Sequence, residues 1–445
     1  MKYIEHIKSI ALFLLIVLSL VLTFVIWTFT PSFERIETTP AIEVALGETK
    51  TVDQVVQPSK ALYHFSDVVT GTTKQEQVDL LLDAMKQWQI HGIVEIDKEA
   101  SAEILKSYMH APNRAVLYYP GQVPFPVFDS MMEIVDDSIP EASFDRLVIE
   151  WGKAENTDLT LYFINTKSGR VHQASVSATE LEQFQSQIVE PAFNYDTYVT
   201  DEKIGTLPIY VPENPLEAAT YRYLQEDIDS QKFVDGLFED PGSVESTGDL
   251  MNEEYSDESD ALMSVDRSKK SISYVQPKAE TQDPAIPSEL IFKTVDFING
   301  HSGWTNDYRY FGMEPLNQKI DYRLYLDSLP VFSSTFSTNL ELVWGIDEET
   351  EQVFRYRRPY YVLESWGETG TMTLPSGAAV LHAITHLKEQ DLTKITDIVH
   401  GYELTRDEKD PERLLNLQPA WYFKADETWI RLSEEQLGGG QVGLE

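Results

Sequence analysis

Residues 10–29 run for 20 positions without a charge, a glycine or a proline. At 1.5 Å per residue, a helix of that length covers about 30 Å, the thickness of a bilayer's hydrocarbon core. Lys2 and Lys8 precede it, Trp27 and Phe29 stand at its far end, and Pro31 stops it. Lysines on the N-terminal side predict a cytoplasmic tail at 1–9, a transmembrane signal anchor at 10–29, a stalk at 30–39 and the bulk of the chain outside the cell membrane. A cleaved signal peptide would have a shorter apolar core and a small-x-small site, which Thr28-Phe29-Thr30-Pro31 does not offer. A core helix is seldom apolar on every face. Ala11, Leu15, Ser19 and Thr23, four apart, form a stripe smaller and more polar than the side bearing Phe13, Leu20 and Phe24. Small residues let helices approach closely in lipid, so this stripe is the candidate partner-binding face; otherwise Ser19 and Thr23 bond back to their own helix.

Beyond the stalk, the apolar positions alternate between period two and period 3.6. A first strand is expected near 41–46, then a β run at 63–69. Helix 74–89 follows, with Val78, Leu81, Leu82, Met85 and Trp88 at helical spacing. Next come strand 92–96, helix 98–110 with Ile104, Leu105 and Tyr108 inward, and strand 114–119. Strands 146–150, 159–164 and 171–175 follow, the last two joined by the turn Asn165-Thr-Lys-Ser-Gly169, and helix 178–188 closes an N-terminal α+β domain at 40–204. A middle α+β domain is placed at 205–280, with helices at 216–224 and 229–237, an acidic loop at 253–260, and a hairpin of 262–265 with 271–275. The proline-containing run 276–287 reads as linker. In the C-terminal domain, 286–435, Ser288 is expected to cap helix 289–299, which feeds strands near 308–311, 321–326, 341–346 and 353–356. Ser376 is expected to cap helix 378–388, which feeds strands 394–404, 415–423 and 428–432. Helix-then-meander twice over predicts antiparallel sheets, each with a helix packed on one face.

Composition narrows the function. With 35 basic against 73 acidic residues the formal net charge is −38, which repels phosphate backbones and anionic headgroups, so nucleic acid is not an expected partner. There are no cysteines, which removes disulfides, thiolate metal sites and thiol chemistry. A large ectodomain without a disulfide fits the outer face of a bacterial cell better than a eukaryotic lumen.

Candidate chemistry is sparse. His382 and His386 have zinc-protease spacing, but Ala383 stands where the catalytic Glu is needed. Gly300-His-Ser-Gly303 approaches a nucleophile elbow, yet Trp304 occupies the second glycine position. Glu253, Glu254, Asp257, Glu258 and Asp260 lack the spacing of a calcium loop. Asp136-Asp137 and Asp347-Glu348-Glu349 are adjacent acids in turns, which cannot flank a substrate. The aromatic groups Trp304, Tyr308, Tyr310, Phe311 and Tyr356, Tyr360, Tyr361, Trp366 suit either sheet packing or a partner surface. No enzyme, cofactor or metal signature emerges.

Four stretches carry a resemblance: Glu5-His-Ile-Lys-Ser-Ile10 leading into the apolar run, Leu207-Pro-Ile-Tyr-Val-Pro-Glu-Asn-Pro215, Lys232-Phe-Val-Asp-Gly-Leu-Phe-Glu-Asp-Pro241, and Ile395-Thr-Asp-Ile-Val-His-Gly-Tyr402 followed by Leu417-Gln-Pro-Ala-Trp-Tyr-Phe423. Together they resemble the YycH family over nearly the whole chain, and the C-terminal part also resembles the sister family YycI. The resemblance implies a three-domain ectodomain and no catalytic or cofactor residues. It further implies a membrane-anchored regulator of the sensor histidine kinase WalK (YycG) and its partner WalR (YycF), which control cell-wall metabolism. Such a regulator would act with YycI through transmembrane helix contacts, and restraint of the kinase is the expected sign. The competing expectation is an extracytoplasmic binding module or chaperone for cell-wall or lipoprotein cargo, with the helix as a plain anchor.

Overall fold

The computed structural model describes residues 47–152, 159–176, 181–248, 252–280, 283–301, 303–347, 350–388, 390–411 and 413–437, the backbone alone at 365 and 366. The expected anchor, the stalk and the strand at 41–46 lie outside the described residues. Among those described, no helix is long and apolar enough to cross a membrane.

Among the described residues the first sheet has nine strands. They are β1 (Lys60–His64), β2 (Val69–Thr72), β3 (Ile90–Asp97), β4 (Arg114–Pro124), β5 (Ser143–Glu150), β6 (Leu159–Asn165), β7 (Arg170–Val176), β8 (Asp196–Val199) and β9 (Val211–Pro212). Their spatial order is β3-β7-β6-β5-β4-β1-β2-β8-β9. Alternation along the central strands splits their side chains between two layers. Ala61, Tyr63, Ala115, Leu117, Leu147 and Ile149 join the main core, where α1 (Gln75–Met85) contributes Leu81 and Met85. Leu62, Val116, Val148 and Tyr162 point the other way, onto Leu105 and Met109 of α2 (Ala102–Met109). Helices therefore cover both faces, not one. The inward stripe of α2 is Leu105 and Met109, while Ile104 is exposed, because Ser101 caps the helix through Ile104 N and sets that register.

The second sheet gathers the rest: β10 (Leu216–Asp227), β11 (Glu245–Gly248), β12 (Asn252–Ser256), β13 (Leu262–Asp266), β14 (Ser271–Val275), β15 (Tyr308–Glu314), β16 (Lys319–Leu326), β17 (Leu329–Phe332), β18 (Asn339–Asp347), β19 (Thr350–Pro359), β20 (Tyr361–Leu374), β21 (Ile395–Arg406), β22 (Leu414–Ala425) and β23 (Thr428–Arg431). Its path runs β11-β12-β13-β14-β19-β18-β16-β17-β21-β22-β10-β20, with β15 on β16 and β23 on β22. Short β17 joins the two meanders, antiparallel to β16 and parallel to β21. Every other ladder between named strands is antiparallel.

Three expectations fail here, each for a local reason. Residues 216–224 are not a helix but most of β10, held between β20 and β22; its Tyr221-Arg-Tyr223 alternation suits a half-buried strand whose tyrosines pack on the core. The acidic run 253–260 opens as β12, because Tyr255 turns into the core while Glu253 accepts from Tyr255, Ser230 and Arg267. Ser288 does not cap its helix, since α5 (Pro287–Gly300) begins at a proline with Ile286 as its cap. The first-turn donors instead find a distant carboxylate: Ser288 N and Oγ donate to Glu141 at 3.0 and 2.8 Å. Ser376 does cap α6 (Gly377–Thr385), accepting from Ala379 N.

That Glu141 contact belongs to a seam along which the two sheets are stitched. Tyr310 Oη donates to Gln122 O at 2.6 Å and Arg309 Nη1 to Gln75 Oε1 at 2.6 Å. A bulge between Tyr118 and Val123 throws Gly121 against β15, where a Cβ would lie 2.6 Å from Gly312 Cα, so only glycine allows this approach.

Candidate functional site: the cleft between the sheets

Away from the seam the sheets part around a cleft of about 460 Å³. The first sheet supplies Lys60, Tyr118, Asp145 and Arg146, the connection 206–212 runs along it, and Asp397, His400, Trp421 and Trp429 come from the second sheet. Residues 207–215 and 395–402, two of the stretches that carry the resemblance, both border it.

Tyr118 organises one wall. It is 7 % exposed, and two cations sit on its ring: Lys60 Nζ lies 4.9 Å from the ring centroid and the Arg146 guanidinium 4.5 Å. Such contacts strengthen where water is excluded. Burial pushes the Tyr118 hydroxyl well above the usual phenol range, and its oxygen has no hydrogen-bond partner among the described residues. Lys60 reaches across the cleft to Asp397 at 3.3 Å. Nearer the rim, Lys167 meets Glu427 at 3.4 Å with both side chains about two-thirds exposed, which makes that bridge worth little. Asp145 accepts from Thr166 N, Thr166 Oγ1 and Arg146 Nη1 at 2.8, 2.6 and 2.9 Å, which locks the turn of the β6–β7 hairpin to the wall.

The imidazoles here are held neutral. His110 Nδ1 lies 3.1 Å from His64 Nε2, a hydrogen bond that requires at least one neutral ring, and Tyr210 packs on both. Burial, then Arg114, pushes His64 down to about 4, and burial, then His64, pushes His110 down to about 3. Burial and the nearby Lys60 push His400 down to about 4. Below about pH 6.5 the unfolded chain binds protons that the native state refuses, so the stability these rings confer is complete at neutral pH and is lost as pH falls towards 4. Urea unfolding at pH 7, 5.5 and 4.5 is expected to show a falling midpoint, with about 3 kcal/mol or more lost. A midpoint that stays level or rises would contradict these environments.

The residues singled out from the sequence lie elsewhere. Ala11, Leu15, Ser19 and Thr23 fall outside the described residues. His382 and His386 pack ring to ring at 4.2 Å on the exposed side of α6. Among the described residues no three His, Asp or Glu gather to hold a metal ion. Asp136 accepts from Gly92 N and Ile93 N, and these backbone bonds hold its carboxyl below the usual range. Trp304, Tyr308, Tyr310, Tyr356, Tyr360 and Tyr361 are buried, which settles them as sheet packing, whereas Phe311 reaches the cleft. The cleft residues carry no signal in the sequence because they combine only in space; Lys60 and Asp397 are 337 positions apart.

The model of the YycH protein N-terminal domain matches residues 5–190, and that of the YycH protein C-terminal domain matches residues 207–436. The chain belongs to the YycH family. The cleft therefore lies where the two matched YycH domains meet, with Tyr198 and Thr206 from the stretch between the matches on its wall. Over 458 aligned residues the chain is 21 % identical to a Bacillus subtilis (strain 168) protein described as the two-component system WalR/WalK regulatory protein YycH, with 99 % of each chain covered. The crystal structure of YycH from Bacillus subtilis superposes with a TM-score of 0.72 at 18 % identity, covering 88 % of this chain and 99 % of that one. At that identity the likeness establishes the mixed α+β fold.

Proposed function

We propose that this chain is a membrane-anchored accessory regulator of a sensor histidine kinase of the WalK (YycG) type, acting beside a YycI-like sister protein and restraining the kinase. The observation that carries the reading is the end-to-end similarity to a relative described as a WalR/WalK regulatory protein. Residues 10–29 supply the means: an apolar run of bilayer length, oriented by Lys2 and Lys8 with the N-terminus in the cytoplasm. The ectodomain biases the kinase only in so far as it contacts its two states differently, because a partner that binds both equally shifts nothing. The reading calls for no catalytic step, cofactor or metal.

The contact is assigned to the stripe Ala11, Leu15, Ser19 and Thr23. Hydrogen bonds between helices in lipid average about 0.6 kcal/mol, so close packing of small residues carries most of the association. Ser19→Leu with Thr23→Leu is expected to reduce co-purification with the kinase several-fold, while Phe13→Leu with Phe24→Leu leaves it intact. Equal losses on both faces would remove the stripe from the account. The second reading, an extracytoplasmic binding module on a plain anchor, is favoured by one observation, the cleft between the sheets.

A further inference from the structure

The geometry points to a ligand site: the cleft between the two sheets binds a small molecule that carries a carboxylate on an apolar body, with the carboxylate on Arg146. This goes beyond the kinase reading and does not depend on it.

The unused hydrogen-bonding capacity of the walls is chiefly donor. Arg146 spends Nη1 on the Asp145 carboxylate and carbonyl and on the Tyr119 carbonyl. Its Nε and Nη2 have no hydrogen-bond partner among the described residues. That pair of nitrogens is one of the two edges with which a guanidinium grips a carboxylate through parallel hydrogen bonds. Tyr118 Oη, Trp429 Nε1 and His110 Nε2, all on residues lining the cleft, also lack partners. The carboxylates are largely taken: Asp145 accepts three hydrogen bonds, Asp397 accepts from Lys60 and Ile398 N, and Glu427 pairs with Lys167 and Lys424.

Charge agrees with this. On a chain of net charge −38 the cleft is lined by four cations, Lys60, Arg146, Lys167 and Lys424, against three carboxylates. A locally cationic recess in an acidic surface attracts an anion that the rest of the molecule repels. Trp421, Trp429, Tyr325, Phe311 and Leu207 supply apolar wall for the body of the ligand. The volume of about 460 Å³ falls within the usual range for small-molecule pockets, which also combine apolar walls with a few polar groups.

Two sources share this chemistry: the free C-terminus of a short apolar peptide and a small aryl-alkyl carboxylic acid. The probes are N-acetyl-Ala-Phe-Ala as its acid, the same peptide as its amide, and 3-phenylpropionate, each titrated calorimetrically into the full-length protein in nanodiscs. We expect one of the two acids to bind, and the arm that does so names the source. For the peptide arm the amide should bind at least tenfold more weakly, and for either arm Arg146→Gln should weaken the acid by a similar factor. Tyr118→Phe keeps the ring that Lys60 and Arg146 cover and removes only an unpartnered hydroxyl, so it should weaken the acid a few-fold without lowering the unfolding midpoint. The acid-against-amide contrast needs no variant and survives if Arg146→Gln fails to fold. The proposal is overturned if neither acid binds at about 5 mM, if acid and amide bind alike, or if folded Arg146→Gln binds the acid as the parent does. None of these outcomes involves the kinase, so a failure here leaves the regulatory reading untouched.

Discussion

Arg358→Met is expected to lower the unfolding free energy by about 3 kcal/mol, read from urea unfolding at neutral pH. Arg358 is fully buried on β19, and no carboxylate pairs with it among the described residues. Neutral oxygens satisfy it instead: Nη1 donates to Gly303 O at 3.2 Å and Tyr356 Oη at 3.0 Å, Nη2 to Thr305 Oγ1 at 3.0 Å, and Nε to Pro359 O at 3.4 Å. Phe233 of α4 (Ser230–Leu237) lies 5.3 Å from its guanidinium carbon. The side chain thus ties the segment after α5, the end of β19 and α4 together. Methionine fills much of the volume but leaves several oxygens in the core without a donor, each such loss costing about 1–3 kcal/mol. Arg358→Lys is also expected to fail, by about 2 kcal/mol, since an ammonium cannot span partners laid out for a planar fork. Unchanged stability in Arg358→Met would show that these oxygens find water, and that the site does not join the three elements.

The second large effect concerns the anchor. On the proposed reading, replacing residues 10–29 with an unrelated apolar segment of equal length should keep the rest of the chain at the membrane but remove the stripe. If the helix is the regulatory contact, kinase co-purification is expected to fall at least tenfold, about 1.4 kcal/mol, while the folded ectodomain and its thermal midpoint stay unchanged. Retention of both co-purification and regulation after the exchange would move the active surface to the ectodomain and favour the binding-module reading.

Much of the first sheet could be read directly from the chain. Strands at 146–150, 159–164 and 171–175 are apolar, β-branched and aromatic, and the Asn165–Gly169 turn fixes their pairing, with Asn165 Oδ1 accepting from Ser168 N. Where local preference and tertiary context disagree, the reading fails. Leu216, Ala218, Ala219 and Leu224 have the spacing and residue types of a helix, yet partners on both sides make that stretch a strand. β20 is hidden by Gly367 and Gly370, which break its pattern and coincide with register shifts against β10. β17 is hidden by Pro330 and by its length of four residues. The cleft was not legible at all, because no short-range spacing relates Lys60, Tyr118 and Arg146 to Asp397 and Trp429. Only the β4 bulge, the seam at Gly121 and the return of β21 bring them to one place.

The central claim is that this chain, held by its N-terminal helix, regulates a sensor kinase. It is tested most directly by reconstituting the kinase in nanodiscs and measuring its autophosphorylation with and without the full-length protein. The account predicts that the two proteins are captured together and that the kinase's phosphorylation rate is lower when the protein is present. An unchanged rate with no capture would contradict it.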